Sequence, residues 1–117
     1  MKKLYLWLLT LSWAGLTLYL TTIPNFSPSP DTLTSWILSN GGHFFFFGVQ
    51  GTLVYLAMPK RAFTVKIAVL STSLYGLLIE FLQLNIPGRS FGISDWMLDT
   101  IGALAFIFLL KKLQSRL

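Results

Sequence analysis

The chain contains no cysteine and few charges: Asp and Glu number 4, Lys and Arg 9 and His 1, among 117 residues. The missing cysteines exclude a disulfide framework, a thiolate nucleophile and any cysteine-ligated metal. The scarcity of charge excludes more. Charged residues make up 11% of the chain, against about 25% in an ordinary soluble domain. Hydrophobic residues make up 54%, and the mean hydropathy is +0.67. A soluble protein this small would leave large apolar patches in water. A disordered region or a nucleic-acid module is equally hard to fit. Four membrane spans of ~20 residues each would use about 80 positions, which leaves loops and tails but no second domain. The expectation is an all-α integral membrane four-helix bundle, with residues 1–117 as one transmembrane domain.

Apolar stretches place the spans at about 4–23, 43–58, 67–86 and 94–110. The first exceeds the ~7–15 residues of a signal-peptide core and no small-x-small cleavage site follows it, so it reads as a retained anchor. Trp7, near its basic end, suits the aromatic belt of a membrane interface. Residues 24–41 form the longest polar segment. Ser29 can cap a helix with Pro30 at its first position, Gly41 can end it, and Leu33, Trp36 and Ile37 would share one face. Either a short interfacial helix or an irregular loop in this first outer segment satisfies the pattern.

The basic residues settle the orientation expected. Lys2 and Lys3, then Lys60, Arg61 and Lys66, then Lys111, Lys112 and Arg116 all fall on one side of an alternating four-span topology. The positive-inside rule makes that side cytoplasmic and places both termini there. Contact with anionic lipid headgroups accounts for the net charge of +5 without a nucleic-acid partner.

Every acidic residue lies toward the other side. Asp31 is in the outer segment, Asp95 and Asp99 open the fourth span, and Glu80 sits inside the third, ~10 Å from its end. A carboxylate at that depth is costly, so Glu80 is expected to face the protein interior, paired or protonated. Gly76, Glu80 and Gln83 share one face of the third helix, and Asp95, Asp99 and Gly102 share one face of the fourth. Arg89, in the connection between them, is the one basic residue on this side. His43 and Gln50 begin a similar face on the second helix. Helices packed with these faces inward would form a polar cup open to the outer leaflet.

Each member has a structural alternative. Glu80 can serve only to hydrogen-bond across helices. Arg89 can bind an acidic ligand through its planar fork, or be held by Asp95 or Asp99 as an internal ion pair. Asp95 can act as an N-terminal helix carboxylate favoured by the helix dipole; Asp99, one turn deeper, has no such explanation. His43 can be a satisfied interfacial residue. Phe44 to Phe47 read as lipid- or core-facing bulk, and Trp36 and Trp96 as interface anchors.

The run E-x-x-Q-x-x-x-P-G-R (Glu80, Gln83, Pro87, Gly88, Arg89) followed by D-x-x-x-D-x-x-G (Asp95, Asp99, Gly102) resembles the signature of the VanZ-like membrane proteins. The segment G-H-F-x-x-F-G, from Gly42 to Gly48, is similar to that family's histidine-bearing second helix. The four-span layout agrees, so the resemblance covers nearly the whole chain. There are departures. Family members often have Asp-Lys before the histidine, where this chain reads Asn-Gly-Gly; Asp99 replaces a common Asn; and Phe106 stands where a glycine is frequent. The extra carboxylate at Asp99 makes the cup more acidic than the family's usual pattern. The resemblance implies a small membrane protein of the bacterial cell envelope, in a family associated with resistance to teicoplanin.

Three functional classes follow. In the first, the cup binds or modifies an amphiphile of the envelope, such as a lipid-linked cell-wall precursor or a lipoglycopeptide antibiotic like teicoplanin. Arg89 then contacts phosphate or carboxylate, and Glu80, Gln83, Asp95 and Asp99 orient polar headgroup atoms. In the second, the chain is an intramembrane enzyme acting on a lipid-linked glycan or phosphate, with Glu80 and His43 as acid and base. In the third, it is a structural subunit of a membrane complex or a homo-oligomer. No cofactor is expected: three carboxyls and a histidine have the chemistry for a divalent metal, but no ligand spacing such as H-x-x-x-H supports one.

Overall fold

The helices run through apolar sequence rich in Leu and Phe, and Pro59, the one proline among the described residues, falls outside them. The computed structural model describes residues 2–22, 32–85 and 93–116. They form α1 (Lys2–Thr22), α2 (Thr32–Ala57), α3 (Thr64–Gln83) and α4 (Ile93–Ser115), with no strand among the described residues. Several hydroxyl side chains in these helices are satisfied by their own helix. Thr10, Thr17 and Thr21 donate to the carbonyls of Leu6, Trp13 and Thr17 at 2.7, 2.8 and 2.7 Å, and Thr52 donates to Gly48 at 2.9 Å. Such back-bonding lets a threonine sit in apolar surroundings with its donor used.

Pro59 stops α2, and Thr64 organises the turn into α3. Its hydroxyl donates to the Pro59 carbonyl at 2.7 Å and accepts from the Arg61 amide at 2.8 Å. Lys60 folds back over the end of α2, donating to the carbonyls of Tyr55 and Met58, where a cation meets the negative end of the helix dipole.

Side chains that cross between helices give their directions. From α1, the Trp13 indole donates to the Phe46 carbonyl of α2 at 2.8 Å. From α3, Tyr75 donates its hydroxyl proton to the Ala14 carbonyl, and Gln83 donates its amide to the Thr21 carbonyl at 2.7 Å. Successive helices therefore alternate in direction. The C-terminal ends of α2 and α4 lie with the starts of α1 and α3, and Glu80, Asp95 and Asp99 lie toward the opposite end.

The α2–α4 interface is the most extensive of the contacts between helices, and α2 touches all three others. Small residues make this approach close. Gly48 lies under the Phe106 ring, Gly51 against Ala103, and Gly102 against the backbone of Phe44.

Burial is inverted relative to a soluble protein. Leu11, Leu74 and Phe108 are 66%, 65% and 64% exposed, whereas Glu80 and Asp99 are 0% exposed. Three helices are long and apolar enough to cross a membrane: Leu4–Thr22, Thr64–Gln83 and Ile93–Ser115. Helix α2 carries Asn40, His43 and Gln50 and packs on all three other helices; Gln50 is buried and the His43 side chain is 9% exposed. The described chain measures 43 × 25 × 21 Å, its long axis close to the ~40–45 Å of a bilayer with headgroups.

Two boundaries differ from the sequence reading. The expected break at Gly41 is absent: α2 begins at Thr32 and runs through Gly41 and Gly42, so the outer segment and the second span share one helix of 26 residues. A glycine in a helix costs only about 1 kcal/mol, too little to end one held on three sides. Helix α4 continues past Lys111 to Ser115, because lysine ends the apolar stretch without disfavouring helix. Helix α3 ends at Gln83, with Leu84 and Asn85 in a turn, short of the expected end at 86; the proposed cap at Ser29–Pro30 lies outside the described residues.

Candidate functional site

Three helices contribute to one polar cluster. Asp99, buried on α4, presents Oδ1 to His43 Nδ1 of α2 at 2.8 Å. The imidazole also lies parallel to the buried Phe47 ring, centroids 6.1 Å apart and planes 5° apart, so it is fixed on one face and one edge. Glu80, on α3, and Asp95, one turn above Asp99 on α4, complete the group. One donor atom each from His43, Glu80 and Asp95 lies within 4.8 Å of the others. Asp95, half-buried, is the more exposed member of the cluster, while Asp99 forms its floor.

The floor depends on a glycine. Asp99 Oδ2 lies over Gly76, where an added Cβ would come within 2.6 Å of it. This oxygen is buried and has no hydrogen-bond partner among the described residues. A carboxylate accepting from Nδ1–H leaves Nε2 of a neutral imidazole as its lone-pair nitrogen. The cluster thus offers an oriented imidazole and three carboxyl groups, a set able to accept protons, hydrogen-bond hydroxyl groups or hold a cation.

The sequence model of the VanZ/LLP1 family matches residues 5–114, nearly the whole chain. The chain belongs to the VanZ-like family. No curated protein and no solved structure matches it.

Within this VanZ-like chain, the residues singled out from sequence divide into groups. His43, Glu80, Asp95 and Asp99 come together. Gln83 is buried, but its amide is turned away to tie α3 to α1 through Thr21. Gln50 lies further along α2, buried, with its carbonyl oxygen unpartnered among the described residues. Arg89, Pro87 and Gly88 fall in 86–92, and Asp31 in 23–31, outside the described residues.

Trp96 corrects the sequence reading of an interface anchor. Its indole N–H points inward and donates to the Ser73 carbonyl at 3.0 Å and to the Ser73 hydroxyl at 3.1 Å. The Ser73 hydroxyl in turn meets Thr100 Oγ1 at 2.8 Å. The chain thus places beside Asp95 a tryptophan that clamps α3 to α4. Ser73 and Thr100 carry no sequence signal that separates them from the other hydroxyl residues of the spans. Removing the donor in Trp96→Phe, or the amide in Gln83→Leu, should cost about 1 kcal/mol, typical of an interhelical hydrogen bond in a membrane protein. Thermal unfolding in detergent micelles measures this, and unchanged melting in both variants would refute the clamp.

Proposed function

We propose that this VanZ-like protein spans the bacterial cytoplasmic membrane several times, with both termini cytoplasmic, and binds the polar headgroup of an envelope amphiphile at its outer face. The ligand class is a lipid-linked cell-wall precursor or a lipoglycopeptide such as teicoplanin. The observation that carries this reading is the convergence of His43, Glu80, Asp95 and Asp99 inside an otherwise apolar molecule. Intramembrane ionisable groups are expensive and mark working sites. The orientation is supported by the positive-inside rule, because the basic residues other than Arg89 fall toward the helix ends remote from this cluster. Arg89, close in sequence to the same end, would supply the contact to phosphate or carboxylate. Membrane lipids laterally surround the exposed leucines and phenylalanines.

A second reading is supported by the hydrogen bond between Asp99 and His43. A carboxylate-oriented imidazole beside Glu80 is an acid–base arrangement, suited to proton transfer on a lipid-linked glycan or phosphate. Binding and catalysis would use the same cluster and separate by product formation.

The test is binding of a lipid-linked cell-wall precursor to the purified chain in lipid nanodiscs, paired with teicoplanin susceptibility of a sensitive bacterium expressing it. Saturable binding is expected, weakened about tenfold or more by Glu80→Gln, a loss of ~1.4 kcal/mol. Wild type should protect the cells, and Glu80→Gln at matched membrane levels should not. Non-saturable partitioning that is equal in wild type and variant would overturn the proposal.

A further inference from the structure

His43, Glu80 and Asp95 come from three different helices, α2, α3 and α4, yet their donor atoms lie within 4.8 Å of one another. We propose that these three side chains hold a first-row divalent cation, Zn²⁺ or Mn²⁺, with Asp99 as the residue that positions His43.

The donor chemistry selects the class of ion. One imidazole nitrogen with carboxylate oxygens suits zinc or manganese. Calcium takes 6–8 oxygen ligands and magnesium keeps most of its water, so neither matches a set of three with an imidazole in it. Donors around a tetrahedral zinc stand ~3.4 Å apart, given metal–ligand distances of ~2.0–2.2 Å. Side-chain rotation closes the remaining gap without moving a helix.

A second observation is independent of the three donors. Asp99 is 0% exposed, and its Oδ2 has no hydrogen-bond partner among the described residues. It lies over Gly76, on the α3 face that carries Glu80 one turn away. A buried carboxylate oxygen without a donor is uncommon and calls for a compensating positive charge, which an ion at the adjacent donors supplies. The other oxygen accepts from His43 Nδ1, the orientation by which metal-binding histidines are held through their second nitrogen. Half-buried Asp95 provides the way in.

Three protein ligands leave a coordination position open, as in catalytic rather than structural sites. A phosphate or carboxylate oxygen of the amphiphile fits that position. This use of the ion rests on the headgroup-binding reading above; the presence of the ion does not.

The experiment takes the untagged chain in detergent micelles, strips it with a chelator, and dialyses it against Zn²⁺ or Mn²⁺ before elemental analysis and thermal unfolding. One ion per chain and a raised Tm are expected, with Mg²⁺ and Ca²⁺ failing to compete. His43→Ala and Asp95→Asn should retain no ion; Asp95→Asn keeps shape at a half-buried position and keeps the fold. Asp99→Asn should bind 10–100-fold more weakly, the usual effect of losing such an outer partner. Wild type without a bound ion, or variants that take up as much as wild type, would overturn the site. Measuring precursor binding with chelator present separates the two readings. Binding that persists unchanged in a metal-free chain rejects the ion's part in headgroup contact and leaves the headgroup reading standing, whereas a bound ion without precursor binding rejects the headgroup reading and leaves the ion site standing.

Discussion

Gly102→Ala should lower the stability of the chain by about 3 kcal/mol, and Gly102→Leu should prevent its folding. A Cβ at this position would run into the carbonyl oxygen of Phe44 and stand 3.1 and 3.2 Å from that residue's carbonyl carbon and Cα. Side chains can rotate away from an intruding methyl group, but a helix backbone cannot. Relief therefore requires α2 and α4 to separate, and separation also loosens the contacts of Gly48 with Phe106 and of Gly51 with Ala103. An internal control lies in α2. Gly41 and Gly42 have nothing within 4 Å of an added Cβ, so Gly41→Ala should gain ~0.5–1 kcal/mol from helix propensity alone. Opposite signs at two helical glycines distinguish close approach from propensity. Thermal or denaturant unfolding in micelles reads both, and a Gly102→Ala chain as stable as wild type would refute the tight α2–α4 contact.

The fold was legible because the charges are few and segregated. Lys60, Arg61, Lys111 and Lys112 mark where apolar stretches end, and Pro59 ends a helix wherever it falls. Composition is weaker evidence where helix boundaries depend on neighbours. Gly41 and Gly42 look like a stop, yet α2 continues through them because three surrounding helices and its own apolar face hold it. Periodicity also could not show that α2 is central, although its polar residues are the reason it needs shielding.

For the site, spacing identified which face of each helix is polar, but not which atoms meet. Glu80 and Asp99 were readable as costly residues needing company. That Asp99 specifically takes His43 depends on the relative height of α2 and α4, which is set by Gly102 and Phe44 and has no local signature. Gln83 shows the opposite limit: it shares the face of Glu80 by spacing, yet its amide reaches outward to Thr21 because α1 packs there. Trp96 was misread for a related reason. A tryptophan near a helix end suits a membrane interface, and only the position of Ser73 on the neighbouring helix turns its indole inward.

The His43–Asp99 pair carries the other large expected effect. Replacing Asp99 by Leu leaves the imidazole N–H of His43 without its acceptor in a site where the ring is only 9% exposed. Replacing His43 by Phe leaves a carboxylate, 1% exposed, without its hydrogen-bond partner among the described residues. Each single change should cost ~3–5 kcal/mol, the range for breaking a buried pair by removing one member. The double variant His43→Phe/Asp99→Leu should be far less damaged than the sum of the two, because apolar groups that fill the same space restore much of the stability. Asp99→Asn should sit close to wild type, since its carbonyl oxygen can still accept from Nδ1–H. A double-mutant cycle on unfolding in micelles measures the coupling; strictly additive losses would show that the two residues do not act as a unit. A double variant that folds as well as wild type but no longer binds precursor would mean that the pair is kept for what it does at the site, since an apolar pair holds the helices equally well.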